Sequence, residues 1–243
     1  MNIKLFFLSF LFLSIAISVD FSEIDSYSEN QKYDMEFKAI HLLSGQSNVE
    51  FAWRMARAYF NQGEEQVDDK KKHELFYKSY NYSKEALELD SMSAKANHYY
   101  AVLHGQIGLI EGTKQKIINS YGVLKHGKIA INIDPNYDNT HHLLGRLNFE
   151  LANLSWFERN FASLIYETPP KGTFEKAENY FQSAISLNSE DVRHWLWLGK
   201  TYIALNEDEK AYEALLKTSS LNPKDEKDRV SIKEAKKLLS GLR

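Results

Sequence analysis

The amino-acid sequence predicts an all-α fold, an α-solenoid of about four irregular helix-turn-helix repeats with a C-terminal capping helix. The composition favours helices over a turn-rich sheet, because the 243 residues include only 4 Pro and 11 Gly. Residues 195–223 follow the pattern Trp-x2-Leu-Gly-x2-Tyr, with Ala211, Leu215 and a closing Pro223 at fixed offsets. This pattern is typical of a tetratricopeptide repeat (TPR) of about 34 residues. Gly199 in this pattern is expected to let the partner helix approach closely.

The same repeat occurs four times with irregular spacing. Its ending, Thr218 to Pro223, matches in register three earlier segments that end at Asp90, Pro135 and Asn188. The corresponding opening positions are Trp53, Asn97, His141 and Trp195. These openings lie 44, 44 and 54 residues apart, whereas a standard repeat has about 34. Three repeats therefore carry insertions, and the four-repeat solenoid is expected to span residues 31–243.

Two segments precede this domain at the N-terminus. Lys4 is followed by an apolar run from Leu5 to Val19, which ends in small residues and has the layout of a secretory signal peptide. The run is shorter than the about 20 residues of a membrane span, but an uncleaved anchor stays an alternative. Residues 1–19 are thus predicted to be a signal peptide or anchor, with export to the periplasm or secretion. Residues 20–30 are polar and serine-rich and are predicted to be a flexible tether.

The remaining elements follow from helical spacing and stop signals. Residues 31–44 have apolar residues at helical spacing, and Gly45 ends that helix. Residues 63–73 lengthen the turn of the first repeat, and a long helix is predicted from Thr113 to Ile133. Residues 154–172 are an insertion in which two prolines prevent a continuous helix, and Thr173 restarts it. Asp225 is expected to cap a last amphipathic helix, whose lysines face solvent.

Composition and motifs exclude most chemistry. The chain has no Cys, so disulfides, thiolate catalysis and zinc–thiolate sites are excluded. A net charge of -3 offers no electrostatic case for nucleic acid. No metalloprotease, hydrolase, P-loop or dinucleotide-binding motif is present. His141 and His142 are adjacent and so point to different sides of a helix, which is poor geometry for one metal. We therefore predict no enzyme activity, no cofactor and no metal.

A cationic line is the predicted partner-binding site. In each opening helix, the residue directly after the opening position and the residue four positions further along share one stripe. This stripe is expected to face the inner, concave surface of the solenoid. The set is more cationic than the protein as a whole, so the predicted partner is a protein or peptide segment that is acidic. Its alternative is a merely solvated face. The predicted residues are Arg54, His98, His142, Arg146, Arg193 and Lys200.

The insertion at residues 154–172 provides a second candidate. Trp156 and Phe157 are there, close to Phe161 and Tyr166, and this density of aromatic residues either fills the core or forms an exposed anchor for a partner. Core packing is the favoured interpretation. The alternative function from another class is a small-molecule binder or enzyme that uses a cavity beneath this insertion.

The repeats and insertions together resemble one family. The segments that carry the resemblance are residues 50–59, with Trp53-Arg-Met-Ala-Arg57, residues 97–101, residues 111–117, residues 141–145, Trp156-Phe-Glu-Arg159, Thr168-Pro-Pro170 and residues 198–202. They resemble the regulator of microtubule dynamics proteins from about Asp34 to Leu239. Generic TPR proteins lack the Trp-x-x-Arg and Thr-Pro-Pro segments, so the resemblance is specific.

The resemblance implies a non-catalytic helical adaptor, and some animal members of the family associate with microtubules, mitochondria or endoplasmic reticulum. The signal-like N-terminus departs from that picture and indicates an exported, bacterial-type homologue. A microtubule role is then expected only if the repeats are cytosolic. Membrane contact is expected only through an uncleaved N-terminal segment.

Overall fold

A computed structural model describes residues 20–45, 47–165 and 168–242, apart from the side chains of residues 156–158, 161 and 165. Residues 1–19, which hold the predicted signal peptide or anchor, lie outside this description. Within it the chain is helical without strands, which confirms the all-α prediction. The helices are α1 (Ser22–Glu29), α2 (Tyr33–Leu42), α3 (Val49–Glu64), α4 (Asp69–Leu89), α5 (Ala94–Glu111), α6 (Thr113–Ile133), α7 (Asp138–Ala152), α8 (Trp156–Ile165), α9 (Phe174–Leu187), α10 (Val192–Ala204), α11 (Asp208–Ser220) and α12 (Glu226–Gly241).

The helices pack as the four predicted repeats. The pairs are α3 with α4, α5 with α6, α7 with α9, and α10 with α11. Each pair packs on the next, through α4 on α5, α6 on α7 and α9 on α10, while α12 packs on α10 and α11. Helix α8 lies within the insertion of the third repeat. A TPR-like solenoid with a C-terminal cap is thereby confirmed.

Local signals place the helix ends. The Thr173 hydroxyl accepts a hydrogen bond from the Lys176 amide at 3.2 Å, and the Asp225 carboxylate accepts one from the Asp228 amide at 2.7 Å. Each satisfies an amide that the first turn leaves without a helical partner. Both are helix starts that the sequence predicts. Gly112 separates α5 from α6 with a φ of 94°, a conformation that strongly favours glycine.

Close helix packing within a repeat depends on two glycines. A Cβ at Gly199 would lie 2.7 Å from the Leu215 side chain, and one at Gly145 would lie 2.7 Å from Phe181. Leu215 and Phe181 are fully buried, so neither can move aside cheaply. The predicted role of Gly199 is confirmed, and Gly145 does the same for the pair formed by α7 and α9.

The N-terminal segment differs from its prediction. Residues 20–30, expected to be a flexible tether, contain helix α1, and Ile24 is buried against α2 and α3. The Asp25 carboxylate accepts hydrogen bonds from Arg54 and Arg57. Polar composition suggested disorder, but one buried isoleucine and one paired carboxylate are enough to fix this short helix on α3. Among the described residues, no helix combines the length and apolarity that a membrane span requires.

Candidate partner-binding cleft

The solenoid curls until its last helix meets its first repeat. Lys227, at the start of α12, lies 3.1 Å from a carboxylate oxygen of Glu65 and 4.0 Å from one of Glu64, at the end of α3. Its ammonium also lies 5.6 Å from the centre of the Tyr33 ring in α2. The surface enclosed by this curl, lined by α2, α3, α5, α7, α10 and the start of α12, is called the inner cleft below.

Two of the predicted cations are open to solvent in the inner cleft. Arg146 in α7 and Arg193 in α10 are exposed, yet protein surrounds them on most sides. This desolvation lowers the pKa of Arg146, and the negative charges of Glu150 and, more weakly, Glu64 partly oppose that shift. Glu150 lies in α7 with Arg146, whereas Glu64 belongs to α3. Arg146 makes no ion pair within the described part of the chain.

Trp197 brings Arg146 and Lys200 together. The guanidinium of Arg146 lies 4.4 Å from the centre of the indole, and the ammonium of Lys200 lies 4.2 Å from it. Both cations are therefore placed over a half-buried aromatic face, which attracts them electrostatically. Lys200 is also paired with Glu234 of α12 at 2.9 Å. The repeat pattern does not single out Trp197, because it specifies Trp195 at the opening position and leaves position 197 open to any residue.

Arg54 is not in the cleft. Its side chain is only 9% exposed and forms a bidentate pair with Asp25, at 2.9 and 2.6 Å. The same guanidinium bonds Glu50 at 2.6 Å and stacks on Trp53 at 4.0 Å. The expectation that Arg54 presents a free charge to a partner is therefore wrong, since its donors are used inside the chain. Its position anchors α1 instead.

His98 and His142 are also buried rather than displayed. His98 bonds the Thr140 hydroxyl at 3.0 Å, and burial together with the nearby Lys95 charge lowers its pKa to about 3. His142 lies 3.0 Å, nitrogen to nitrogen, from His194, and burial lowers the pKa of His142 well below its ordinary value. Both imidazoles are thus neutral and packed between successive repeats, so the expectation that they bind a partner directly is not supported by their positions.

A polar network around Arg193 occupies the floor of the inner cleft. The guanidinium donates to both carboxylate oxygens of Asp191 and, at 2.9 Å, to the amide oxygen of Asn139. Burial alone would raise the pKa of Asp191, but the charge and hydrogen bonds of Arg193 hold it below its ordinary value. His194 donates to Asp138 at 3.2 Å. The network links α7 to α10 and holds Arg193 in place.

Three of these groups have the residue types of a metal site. Asp138, Asp191 and His194 each present one ligand atom within 4.8 Å of the other two. Arg193 already binds the Asp191 carboxylate, however, and Asn188 donates at 3.0 Å to the same Asp138 oxygen that His194 uses. A guanidinium next to the site also repels a cation. The arrangement is that of a hydrogen-bonded network whose acceptors are used within the chain.

The insertion is tied down by one arginine. Arg159 in α8 donates to the carbonyl of Leu151 at 2.5 Å and to those of Pro169 and Pro170 at 3.3 and 3.4 Å. It thereby joins both ends of the insertion to α8. The side chains of Trp156 and Phe157, predicted as a possible aromatic anchor, lie outside the described residues. Whether they pack in the core or meet a partner stays a prediction, as does a cavity beneath residues 154–172.

Comparisons with known proteins agree with this architecture. A family model described as "Regulator of microtubule dynamics protein 1-3" matches residues 20–243. The chain belongs to the regulator of microtubule dynamics family. Mouse regulator of microtubule dynamics protein 1 is 33% identical over 195 residues, which cover 79% of this chain and 64% of the mouse protein. The Caenorhabditis elegans protein of the same name is 31% identical over 196 residues, 80% of this chain and 86% of that protein.

The match to mammalian members of the family is partial in length. The chain spans 64% of the mouse protein and 61% of the human one, which is 32% identical over 192 residues. Among solved structures, a thermophilic TPR protein of Thermus thermophilus superimposes with a TM-score of 0.61 at 16% identity. That superposition covers 88% of this chain and 95% of the other, and it shows the shared fold.

Proposed function

We propose that this chain is a non-catalytic protein-interaction adaptor of the regulator of microtubule dynamics type, which binds a partner segment in its inner cleft. The observation that supports the proposal most strongly is the position of Arg146. This cation is exposed inside a concave surface, is stacked on Trp197, and makes no ion pair within the described residues. A concave solenoid face with an unpaired cation is suited to an extended partner that carries a carboxylate.

The neighbouring groups narrow the chemistry of the partner. Lys200 shares the Trp197 face with Arg146, and Glu234, which pairs with Lys200, is 43% exposed and can be displaced. A partner carboxylate between Arg146 and Lys200 would receive charge-assisted hydrogen bonds, while Trp197 would contact its aliphatic stem. Arg193 is already neutralised by Asp191 and is better suited to positioning. The cleft therefore favours an acidic segment over a basic or purely apolar one.

Site-specific photo-cross-linking tests this proposal. A photoreactive aromatic amino acid replaces Trp197, so that Arg146 and Lys200 keep their charges, or replaces Lys70 on the outer surface of α4, and the cross-linked products are identified by mass spectrometry. We expect one dominant partner from position 197 and none from position 70. Products that are equally abundant at both positions would contradict binding in the cleft. In the same assay, Arg146→Glu should abolish the product obtained at Trp197.

Export and microtubule association are separate proposals. The apolar residues 1–19 support export of the repeat domain, and mass spectrometry of the mature chain tests it. A chain that begins near Val19 supports cleavage, whereas an intact Met1 refutes it. The family name supports a microtubule-related role, which requires repeats that face the cytosol. Co-sedimentation of the chain with polymerised tubulin, with Arg146→Glu as the matched variant, measures that role directly.

A further inference from the structure

The C-terminal cap carries a second recessed surface, away from the inner cleft. Helix α12 packs on α10 and α11 through Ala235 and Leu239, which turns its opposite side outwards. There it forms a groove of about 400 Å³ with the segment that follows α11. This surface, called the cap groove, has apolar residues Leu221, Pro223 and Ile232 and cationic residues Arg229, Lys233 and Lys236.

The charge of the cap groove is opposite to that of the whole chain. Its lining has three cations and no carboxylate, although the chain has a net charge of -3. Lys233 and Lys236 are exposed and make no ion pair within the described residues, and Arg229 has only the exposed Glu226, at 3.0 Å. Glu234, which lies between the two lysines in sequence, is turned away to Lys200. Within the described residues, Lys233 and Lys236 are thus left without a counter-charge, whereas Arg229 has one that is exposed to solvent.

The spacing of the cations fits an extended chain. Residues 229, 233 and 236 lie on one side of α12, and a step of four residues advances about 6 Å along a helix axis. In an extended peptide, side chains two residues apart lie on the same side and are about 6.6 Å apart. Carboxylates at alternate positions can therefore meet Arg229 and Lys233, while the side chain between them points to the wall formed by Leu221 and Pro223.

We propose that the cap groove binds an extended acidic segment of a partner protein in which acidic and apolar residues alternate. The recess favours a peptide over a membrane, because a flat bilayer would meet the rim lysines but not Leu221 and Ile232 on the inner wall. Charge-assisted hydrogen bonds from the cations provide attraction, and the apolar wall selects for alternation over a uniformly acidic tail. This surface is independent of Arg146 and the inner cleft.

Fluorescence anisotropy with a defined probe tests the cap groove. The probe is a labelled eight-residue peptide of alternating Glu and Leu, titrated with the full chain. We expect saturable binding that weakens with salt, at least tenfold weaker binding for the Lys233→Glu/Lys236→Glu variant, and unchanged binding for the control Lys70→Glu/Lys71→Glu, which has the same net charge. Ile232→Ser should weaken binding without any change of charge. Thermal melts confirm that each variant is folded.

Several outcomes would overturn the proposal. These are the absence of saturable binding, or equal affinity of the wild type and Lys233→Glu/Lys236→Glu. If phosphatidylserine vesicles bind in a Lys233-dependent manner while the peptide does not, the surface is a membrane contact. If self-association, followed by light scattering, is lost in the same double variant while the peptide does not bind, the occupant is a second copy. Because the inner cleft is also proposed to bind acidic segments, the titrations are repeated with Arg146→Glu present in every variant, and the loss caused by Lys233→Glu/Lys236→Glu should persist there, which separates the cap groove from the inner cleft.

Discussion

Mild acid should destabilise this protein through two buried histidines. His98 and His142 are 4% and 8% exposed and are neutral in the folded chain, because burial lowers both pKa values. Unfolded histidine takes up a proton near pH 6.5. Only the unfolded state gains this proton. The stabilisation is therefore fully present above pH 6.5, and the free energy of unfolding falls as the pH drops towards the pKa of the folded histidine, which is about 3 for His98.

The expected loss is large relative to the stability of a domain. A proton that only the unfolded state binds changes the free energy of unfolding by about 1.4 kcal/mol per pH unit, which amounts to about 2 kcal/mol for His98 between pH 7 and pH 5. His142 adds a loss of the same sign, against a typical total stability of about 5–15 kcal/mol. Carboxylates such as Asp25 and Asp191 have lowered pKa values, so their contribution is lost only below about pH 4. The two pH windows are therefore separate.

Urea unfolding at pH 7.0, 6.0 and 5.0, followed by circular dichroism, measures this loss. His98→Asn retains an acceptor near Thr140 and should lose about 2 kcal/mol less than the wild type between pH 7 and pH 5. The control Lys70→Gln, at an exposed position near the start of α4 that does not titrate between pH 5 and pH 7, should keep the wild-type dependence. Equal stability of the wild type at pH 7 and pH 5, or an unchanged slope in His98→Asn, would refute the assignment of buried neutral histidines.

Three further perturbations follow from packing and ion pairs. Asp25→Asn should lower the free energy of unfolding by about 1–3 kcal/mol, because two arginine side chains lose a charged acceptor, and urea unfolding measures it. Gly145→Ala should cost about 1–3 kcal/mol, because the new methyl group would lie 2.7 Å from Phe181, and a thermal melt detects it. Lys227→Glu should open the inner cleft and increase the radius of gyration in small-angle scattering, with a stability change below about 1 kcal/mol.

Matched control variants distinguish these mechanisms from a non-specific effect of substitution on stability. Asp20→Asn, on the exposed residue before α1, and Gly241→Ala, where nothing lies within 4 Å, should leave stability nearly unchanged. Adding Glu65→Lys to Lys227→Glu restores opposite charges and should return the radius of gyration to the wild-type value. A wild-type radius in Lys227→Glu alone would show that the contact of α12 with α3 does not hold the cleft closed.

The spacing of residues along the sequence was sufficient to predict the fold, because the ends of these helices depend on residues that are close in sequence. The helix from Thr113 to Ile133, the restart at Thr173 and the cap at Asp225 all follow from glycine, proline and capping residues near them in sequence. Helix α1 was missed for the complementary reason. Its stability depends on Arg54 and Arg57, about 30 residues away, and no pattern within residues 20–30 signals that contact.

Only some of the predicted cations lie in the inner cleft, because the helical stripe that faces the cleft is narrow. Residues two before and five after an opening position, such as Arg193 and Lys200 around Trp195, lie about 20° apart on a helix of 100° per residue. The residue directly after the opening, such as Arg54 or His142, lies about 40–60° from both. That rotation is enough to turn a side chain from the open cleft into the contact between successive repeats.

The same geometry explains why the first repeat adds no cation to the inner cleft. Its residues two before and five after Trp53 are Phe51 and Ala58, which pack with Ile24 and Ile40 of α1 and α2. The N-terminal helices therefore cover the positions that stay open in α7 and α10, and Arg54 is recruited to hold α1 there. Partner-binding cations in this fold are therefore expected two residues before and five residues after the opening residue, in repeats that no terminal helix covers.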